Sequence, residues 1–264
     1  MNPPTKGPGD QAPSASRWRI ALLQIRLLGL ISGEALLDRM DGGRKANGEP
    51  AVAGDDVELT SLEMIELLDA GCRHGWLVHH DGRLPGWNLT ALGRAEGQRL
   101  LAMELDELDG REQVRSSYGA FRSMNRTFLD ICTDWQLRPV AGGIEAQADD
   151  ERPAVTNDHT DPDWDHAVVD RLAALHIEIC RLLEKTSATV PRFGSYAGRF
   201  TKALDRVAGG ERDWLTRPGI NSYHTVWFEL HEDLLATLGL SRSSEHDDSD
   251  DDSDNDGTAG TRNP

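Results

Sequence analysis

The residues best suited to chemistry lie near the end of the chain, in the run Ser222-Tyr-His-Thr-Val-Trp-Phe-Glu-Leu-His-Glu-Asp-Leu-Leu235. Two histidines of this run, His224 and His231, are seven residues apart, which places both on one face of a helix. Imidazoles set among aromatic rings are typical of small-molecule pockets, and imidazoles beside a carboxylate also form metal sites. The run therefore predicts a polar site against an aromatic wall, on a helix over residues 221–238.

Residues from other parts of the chain complete this predicted site. We expect a ligand pocket lined by His159, Trp164, His176, Arg199, Tyr223, His224, Trp227 and His231. A small anionic or aromatic effector is one interpretation of the pocket. A metal site formed by His224, His231 and a carboxylate is a second, and a helical core with hydrogen-bonded histidines is a third.

The sequence offers no catalytic residues. His231-Glu232 is followed by Leu235 where the zinc-protease helix has its second histidine, so that motif fails. The sequence has no Gly-rich phosphate loop, no Gly-x-Ser-x-Gly and no Cys–His arrangement of the nucleophilic type. We therefore expect a protein that is not an enzyme and that holds no cofactor.

The first part of the chain is predicted to form three helices, a β-hairpin and a fourth helix. The apolar residues from Trp18 to Leu28 form the first helix, and Ser32 caps the second. Thr60-Ser-Leu-Glu63 is a capping box that begins the third helix, which ends at Gly75. Helical spacing predicts that the third helix turns four residues inward: Leu62, Ile65, Leu68 and Cys72.

The hairpin and the helix after it carry a recognisable pattern. Strands are predicted at Trp76–Val78 and Gly86–Leu89, and Thr90 caps a helix over 91–108. Gly75-Trp-Leu-Val78 followed by Trp87-Asn-Leu-Thr-Ala-Leu-Gly-Arg94 resembles the glycine, strand, wing, strand, leucine-threonine-x-x-glycine-arginine run of MarR-like and PadR-like winged-helix regulators. The resemblance covers residues 17–105. It implies that helix 61–74 takes the recognition-helix position, that Arg83 lies at the wing tip, and that the protein is a homodimer that binds DNA.

The charges of this region oppose that expectation. The presumed recognition helix carries Glu63, Glu66 and Asp69 against Arg73, and carboxylates on that face repel phosphates. The loop over 41–58 is also eighteen residues long, where a helix-turn-helix normally has about three or four. Two interpretations therefore stand, a transcriptional regulator that contacts DNA and an accessory subunit that contacts protein. The residues expected to make either contact are Glu63, Glu66, Arg73, Arg83, Arg115 and Arg122.

The rest of the chain is predicted to be helical. A long helix with one buried stripe spans 111–135, residues 139–158 form a linker, and Asp161-Pro162 begins the next helix. Because no alternating strand pattern appears, we expect a small bundle without strands. The fold class is thus mostly α, with an N-terminal winged helix that includes a small hairpin, a long connecting helix and a C-terminal helical bundle. The expected boundaries are a disordered tail 1–16, winged helix 17–109, connecting helix 110–138, linker 139–158, helical domain 159–240 and acidic disordered tail 241–264.

The C-terminal part also resembles a second group of proteins. Cys132-Thr-Asp-Trp-Gln136, Asn157-Asp-His159 and Tyr223-His-Thr-Val-Trp-Phe-Glu-Leu-His231 are similar to the C-terminal region of uncharacterised winged-helix proteins from high-GC bacteria. Some of these are found beside phosphoenolpyruvate-utilising phosphotransferases. The resemblance implies a non-catalytic subunit or modulator of such an enzyme.

Composition limits the environment of the protein. The formal net charge is −17, and eight of the acidic residues lie in the segment 241–264. Within that segment Asp252–Gly257 matches only the first half of an EF-hand loop, so we expect no specific calcium binding. The three cysteines form no Cys-x-x-Cys pair, and no run approaches the ~20 apolar residues that span a bilayer. Without a signal-peptide pattern, these features predict a cytoplasmic protein with no membrane contact.

Overall fold

The computed structural model describes residues 13–40, 59–139 and 154–240. Its helices are α1 (Ala15–Leu28), α2 (Gly33–Met40), α3 (Ser61–Arg73), α4 (Ala91–Glu107), α5 (Arg111–Gln136), α6 (Pro162–Thr189), α7 (Ser195–Ala208), α8 (Asp213–Thr216) and α9 (Tyr223–Leu238). A 3₁₀ turn, Pro191–Gly194, joins α6 to α7. The antiparallel strand pairs are β1 (Leu77–His80) with β2 (Gly86–Leu89), and β3 (Leu137–Pro139) with β4 (Ala154–Thr156). The predicted class, mostly α, is confirmed.

Several sequence-based predictions fall on parts of the chain outside the described residues. These are most of the N-terminal tail, the loop over 41–58, the middle of the predicted linker, and the acidic segment with its partial EF-hand pattern. None of the helices in the described ranges is long and apolar enough to cross a membrane.

The N-terminal unit, residues 13–40 and 59–109, begins its helices where the capping residues predict. Ser32 Oγ accepts a hydrogen bond from the Ala35 amide at 3.2 Å. Thr60 and Glu63 form the reciprocal capping box, in which Glu63 Oε2 accepts from the Thr60 amide at 2.8 Å. Each cap satisfies an amide that the first helical turn leaves without a partner, and therefore fixes where the helix starts.

The junction between the hairpin and α4 explains the Leu-Thr-x-x-Gly pattern in physical terms. The Thr90 hydroxyl donates to the Gly75 carbonyl at 2.6 Å and accepts from the Gly93 amide at 3.0 Å. A β-carbon at Gly93 would lie 2.1 Å from the Trp76 carbonyl oxygen. Glycine is therefore required at this position because the first turn of α4 packs directly on the chain that enters β1.

The predicted inner face of α3 is wrong. Leu62 and Ile65 are 65% and 56% exposed, and Cys72 is also exposed. Of the four residues predicted to face inward, only Leu68 is buried. Met64 and Leu67 are buried in place of the others. Both sets follow helical spacing, so the pattern alone does not decide which of two neighbouring faces meets the core.

The C-terminal unit, residues 110–139 and 154–240, is built on the long helices α5 and α6, with α9 packed against α5. Its core includes stacked aromatic rings, among them Phe128 and Trp227 with ring centroids 4.4 Å apart. The expectation of a purely helical unit is wrong, because β3 and β4 pair after α5. Three-residue strands are too short to show an alternating pattern. The Asn157 amide, inside the predicted linker, also donates to the Gln136 carbonyl at 2.8 Å.

The last helix holds the two units together. Ala236 of α9 packs with Leu23, Leu27 and Leu101 in a small apolar cluster. The Gln98 side chain donates to the Ala236 carbonyl at 2.6 Å, and Arg26 Nε lies 3.0 Å from a Glu232 oxygen. Apolar and polar contacts therefore both cross from α1 and α4 to α9.

Candidate functional site

Three carboxylates are buried between the two units. Glu104 of α4 is 5% exposed, and Glu229 and Asp233 of α9 are each 2% exposed. A buried ionised carboxylate is costly unless cations or hydrogen-bond donors surround it. We call the surrounding group the ionic cluster; its members are Arg19, Arg39, Glu104, Arg192, Tyr196, Arg199, Glu229, Asp233 and Thr237.

One half of the ionic cluster is balanced in charge. Arg192 donates to Glu104 at 2.8 Å, to Asp233 at 2.5 Å and to the Thr237 hydroxyl. Arg19 lies 3.3 Å from the other oxygen of Glu104. Burial alone lowers the pKa of Arg192, but the adjacent Asp233 and Glu104 carboxylates raise it above its ordinary value. Two guanidiniums thus face two carboxylates.

The other half carries an excess of positive charge. Glu229 accepts a 2.5 Å hydrogen bond from Arg39, and its second oxygen lies 2.7 Å from Arg199 Nη2. That nitrogen donates to Asn221 at 2.8 Å, so its contact with Glu229 is electrostatic only. Burial, and next the charge of Arg199, lower the pKa of Arg39 despite the opposing effect of Glu229.

Tyr196 connects the two halves. Its hydroxyl donates to Asp233 at 2.9 Å, while the Arg199 guanidinium lies 5.6 Å from the centre of its ring. Burial and the Asp233 carboxylate raise the pKa of Tyr196 well above its ordinary value, so this hydroxyl is a permanent donor. The ionic cluster is therefore continuous from α1 and α2 to α7 and α9.

Most of the ionic cluster was missed by sequence reasoning, which selected only Arg199. A signal was present in α9, where Glu229 and Asp233 are four residues apart among buried apolar side chains. Glu104 likewise stands next to the buried Leu105. Carboxylates on an apolar helical face predict buried ion pairs, but their arginine partners are distant in sequence.

The surface of α3 collects several of the residues predicted to contact DNA or a partner. We call it the α3 face, formed by Leu62, Ile65, Glu66, Asp69, Cys72 and Arg73, all exposed. Glu63 lies beside it but is occupied by the capping box, and its hydrogen bonds with the amide and hydroxyl of Thr60 lower its pKa. The α3 face is therefore apolar and acidic, with one guanidinium.

The remaining predicted contact residues are spread over other elements. Arg83 is exposed between β1 and β2. On α5, Arg115 pairs with Glu112 at 2.9 Å, and the Arg122 guanidinium lies 5.9 Å from the centre of the Tyr118 ring. Arg115 and Arg122 are thus both engaged by neighbours on their own helix.

The predicted pocket residues occupy several different environments. His159 pairs with Asp165 at 2.9 Å and stands next to the Trp135 ring, while the Trp164 indole donates to the Asp134 carbonyl at 2.8 Å. Arg199 belongs to the ionic cluster. His224, Trp227 and His231 line the side of α9 that packs on α5, with the Trp227 indole donating to Asn125 at 2.9 Å.

Two predicted pocket residues from different helices, His176 and Tyr223, do meet. The Tyr223 hydroxyl lies 3.4 Å from His176 Nδ1, and Cys180 Sγ lies 3.4 Å from His176 Nε2. Burial lowers the pKa of His176 and raises that of Cys180. These shifts favour the neutral thiol and neutral imidazole, the opposite of the thiolate–imidazolium pair of a nucleophilic site.

The metal interpretation gains no geometric support. His224 and His231 are separated by seven residues of helix, about 10 Å along the axis. Within residues 13–40, 59–139 and 154–240, no group of three or more His, Cys, Asp or Glu side chains is placed to hold a metal ion.

Comparison with known proteins adds no relative. Protein-family models, curated proteins and solved structures each give no match to this chain. The resemblance to MarR-like and PadR-like regulators therefore stays a prediction from the sequence.

Proposed function

We propose that this chain is a non-catalytic regulatory subunit of winged-helix type whose α3 face contacts a partner protein. The observation that carries the proposal is the exposure of Leu62 and Ile65, at 65% and 56%, on the helix that would read DNA. A helix in the major groove is surrounded by phosphates, which favour basic side chains. Glu66 and Asp69 on the same face would oppose such an approach.

The chemistry of the α3 face defines the partner. Two large apolar side chains flanked by carboxylates suit an amphipathic segment with apolar anchors and Lys or Arg beside them. The partner is accordingly a protein with a basic, apolar contact surface, and α2 and β1 support the helix that bears the α3 face. A subunit of an enzyme complex, as the second sequence resemblance implies, fits this role.

The proposal is tested by placing a photo-crosslinker on Cys72, the exposed thiol of the α3 face. The full chain is labelled and irradiated in an extract of its own cells, and the adducts are identified by mass spectrometry. We expect one stoichiometric partner protein, lost when Leu62→Lys and Ile65→Lys are combined. The same label on Ile177→Cys, and the substitution Leu129→Lys, are controls at comparably exposed apolar positions on other helices.

The outcomes separate this function from its competitors. Adducts of equal yield in the double variant would overturn the proposal, and adducts of the chain with itself would indicate a homodimer contact instead.

DNA binding is the second candidate, because Arg83 and Arg73 are exposed on the hairpin and on α3 as a winged helix requires. A mobility shift with genomic fragments at about 50 mM salt, where electrostatic affinity is greatest, tests it. A shift that Arg83→Ala and Arg73→Ala weaken would favour DNA over protein.

A further inference from the structure

The ionic cluster contains one positive charge more than its carboxylates neutralise. Arg19 and Arg192 face Glu104 and Asp233, so that half is balanced. Arg39 and Arg199 share the single carboxylate Glu229. Within the described part of the chain, the excess therefore lies at these two guanidiniums. An uncompensated charge between packed helices is costly, and a bound anion removes that cost.

The side chains of the same two arginines are partly exposed, and Arg199 has a hydrogen-bond donor to spare. The side chains of Arg39 and Arg199 each keep 20% of their area exposed, whereas Glu229 keeps 3%. In the described structure Arg199 Nε is buried without a hydrogen-bond acceptor. This Nε–H can therefore donate to a ligand without giving up a hydrogen bond that it already makes. A guanidinium binds planar or tetrahedral oxyanions through two parallel hydrogen bonds, and a second guanidinium adds its charge and further donors.

We propose that Arg39 and Arg199 form a binding site for a small oxyanion, of the phosphate or carboxylate type, at the boundary between the N-terminal and C-terminal units. Arg39 comes from α2 and Arg199 from α7, while Glu229 of α9 holds both in place. Binding draws the two units together through their charges. The site does not depend on the partner contact of the α3 face.

The location also departs from the pocket that the sequence predicted. Of that set only Arg199 lies here, and its companions are the unpredicted Arg39 and Asn221, which holds Arg199 at 2.8 Å. The histidines take no part in the site, so its affinity should follow the protonation of the ligand rather than that of an imidazole.

Calorimetric titration of the full chain with inorganic phosphate, acetate and chloride at equal ionic strength tests the site. We expect phosphate or acetate to bind saturably and more tightly than chloride. If neither anion binds more tightly than chloride, the site does not exist. Arg39→Gln and Arg199→Gln should each weaken binding at least about tenfold, because each removes one of the two cations and its charge-assisted hydrogen bonds to the anion. The stronger of the two anions identifies the ligand type.

Two further variants distinguish a defined site from general loss of charge. Arg19→Gln removes the same charge from the balanced half, where Arg192 still neutralises Glu104, and should keep most of the affinity. Glu229→Gln leaves both guanidiniums without their carboxylate and should tighten oxyanion binding. Wild-type affinity in Arg39→Gln and Arg199→Gln, or equal losses in Arg19→Gln, would overturn the proposal. Thermal unfolding with and without phosphate shows whether each variant is folded.

Discussion

Arg192 is the residue through which the 3₁₀ turn after α6 reaches both units at once. Its guanidinium contacts Glu104 from α4 and Asp233 from α9, and its side chain is 15% exposed. A single buried cation thus pairs with two carboxylates that belong to different units. Without Arg192, the negative charges of Glu104 and Asp233 are not fully compensated by water or by another cation.

We expect Arg192→Ala to lower the free energy of unfolding by about 3 to 5 kcal/mol, because it leaves buried charges without their partner. Urea unfolding followed by circular dichroism measures the change. The matched control is Arg217→Ala, which breaks an exposed pair with Asp213 on one helical turn and should barely change stability. Equal effects of the two substitutions would show that the buried contacts of Arg192 contribute nothing special.

A pH effect follows from His176. Burial lowers its pKa below the ordinary value of 6.5, so the unfolded chain takes up a proton at higher pH than the folded chain. The associated stability is fully present above that ordinary value and is lost as the pH falls through it toward the folded pKa. His176→Gln should therefore lose less stability than the wild type between about pH 7.5 and about pH 5.5. Urea unfolding at both pH values tests this, with the exposed His166→Gln as control; identical losses in all three proteins would contradict it.

At the scale of elements, the first turn of α4 is held by specific contacts in addition to the helix propensity of its residues. Thr90 bonds to both the Gly75 carbonyl and the Gly93 amide, and Gly93 lies against the Trp76 carbonyl. The turn, the strand and the helix are therefore one packed junction, and the orientation of the hairpin depends on it.

We expect Gly93→Ala to destabilise the protein by about 3 kcal/mol, since the new methyl group must push backbone away from backbone. Gly119→Ala on α5 is the matched control. Nothing lies within 4 Å of its β-carbon position, so alanine there should stabilise by about 0.5 to 1 kcal/mol. Thermal unfolding of both variants measures the two stability changes. An unchanged stability of Gly93→Ala would contradict the prediction, because it would mean that α4 moves away from Trp76 without loss of free energy.

The same scale shows what sequence can and cannot predict here. The starts of α3 and α6 were predictable because Thr60 and Asp161 cap them through contacts within three residues. The rotation of α3 was not, since Met64 and Leu67 satisfy helical spacing as well as Leu62 and Ile65 do. The ionic cluster was not predictable either, because Arg39 and Glu229 are 190 residues apart and meet only through packing.

At the scale of the whole molecule, α9 is a shared element. It contacts α1 and α4 of the N-terminal unit and α5, α7 and α8 of the C-terminal unit. Its residue Ala236 is fully buried in the small cluster with Leu23, Leu27 and Leu101. The stability of either unit therefore includes contacts made by the other.

We expect the full chain to unfold in one calorimetric transition, with the calorimetric and van 't Hoff enthalpies equal. Ala236→Asp places a charge in the apolar cluster between the units and should divide the transition in two. Leu240, which is exposed two residues after the end of the same helix, offers the control Leu240→Asp, which should keep one transition. Two transitions in the wild type would contradict the shared role of α9.

The apolar contact between Leu23, Leu27, Leu101 and Ala236 has a practical consequence for dissecting the protein. A fragment cut after residue 109 would lose α9, so three leucine side chains would form an exposed apolar patch on its surface. Glu104 would also lose Arg192. Such a fragment would self-associate, and its aggregates would imitate retention of DNA in a gel and capture of proteins on a resin. Binding measured with the intact chain is free of that artefact.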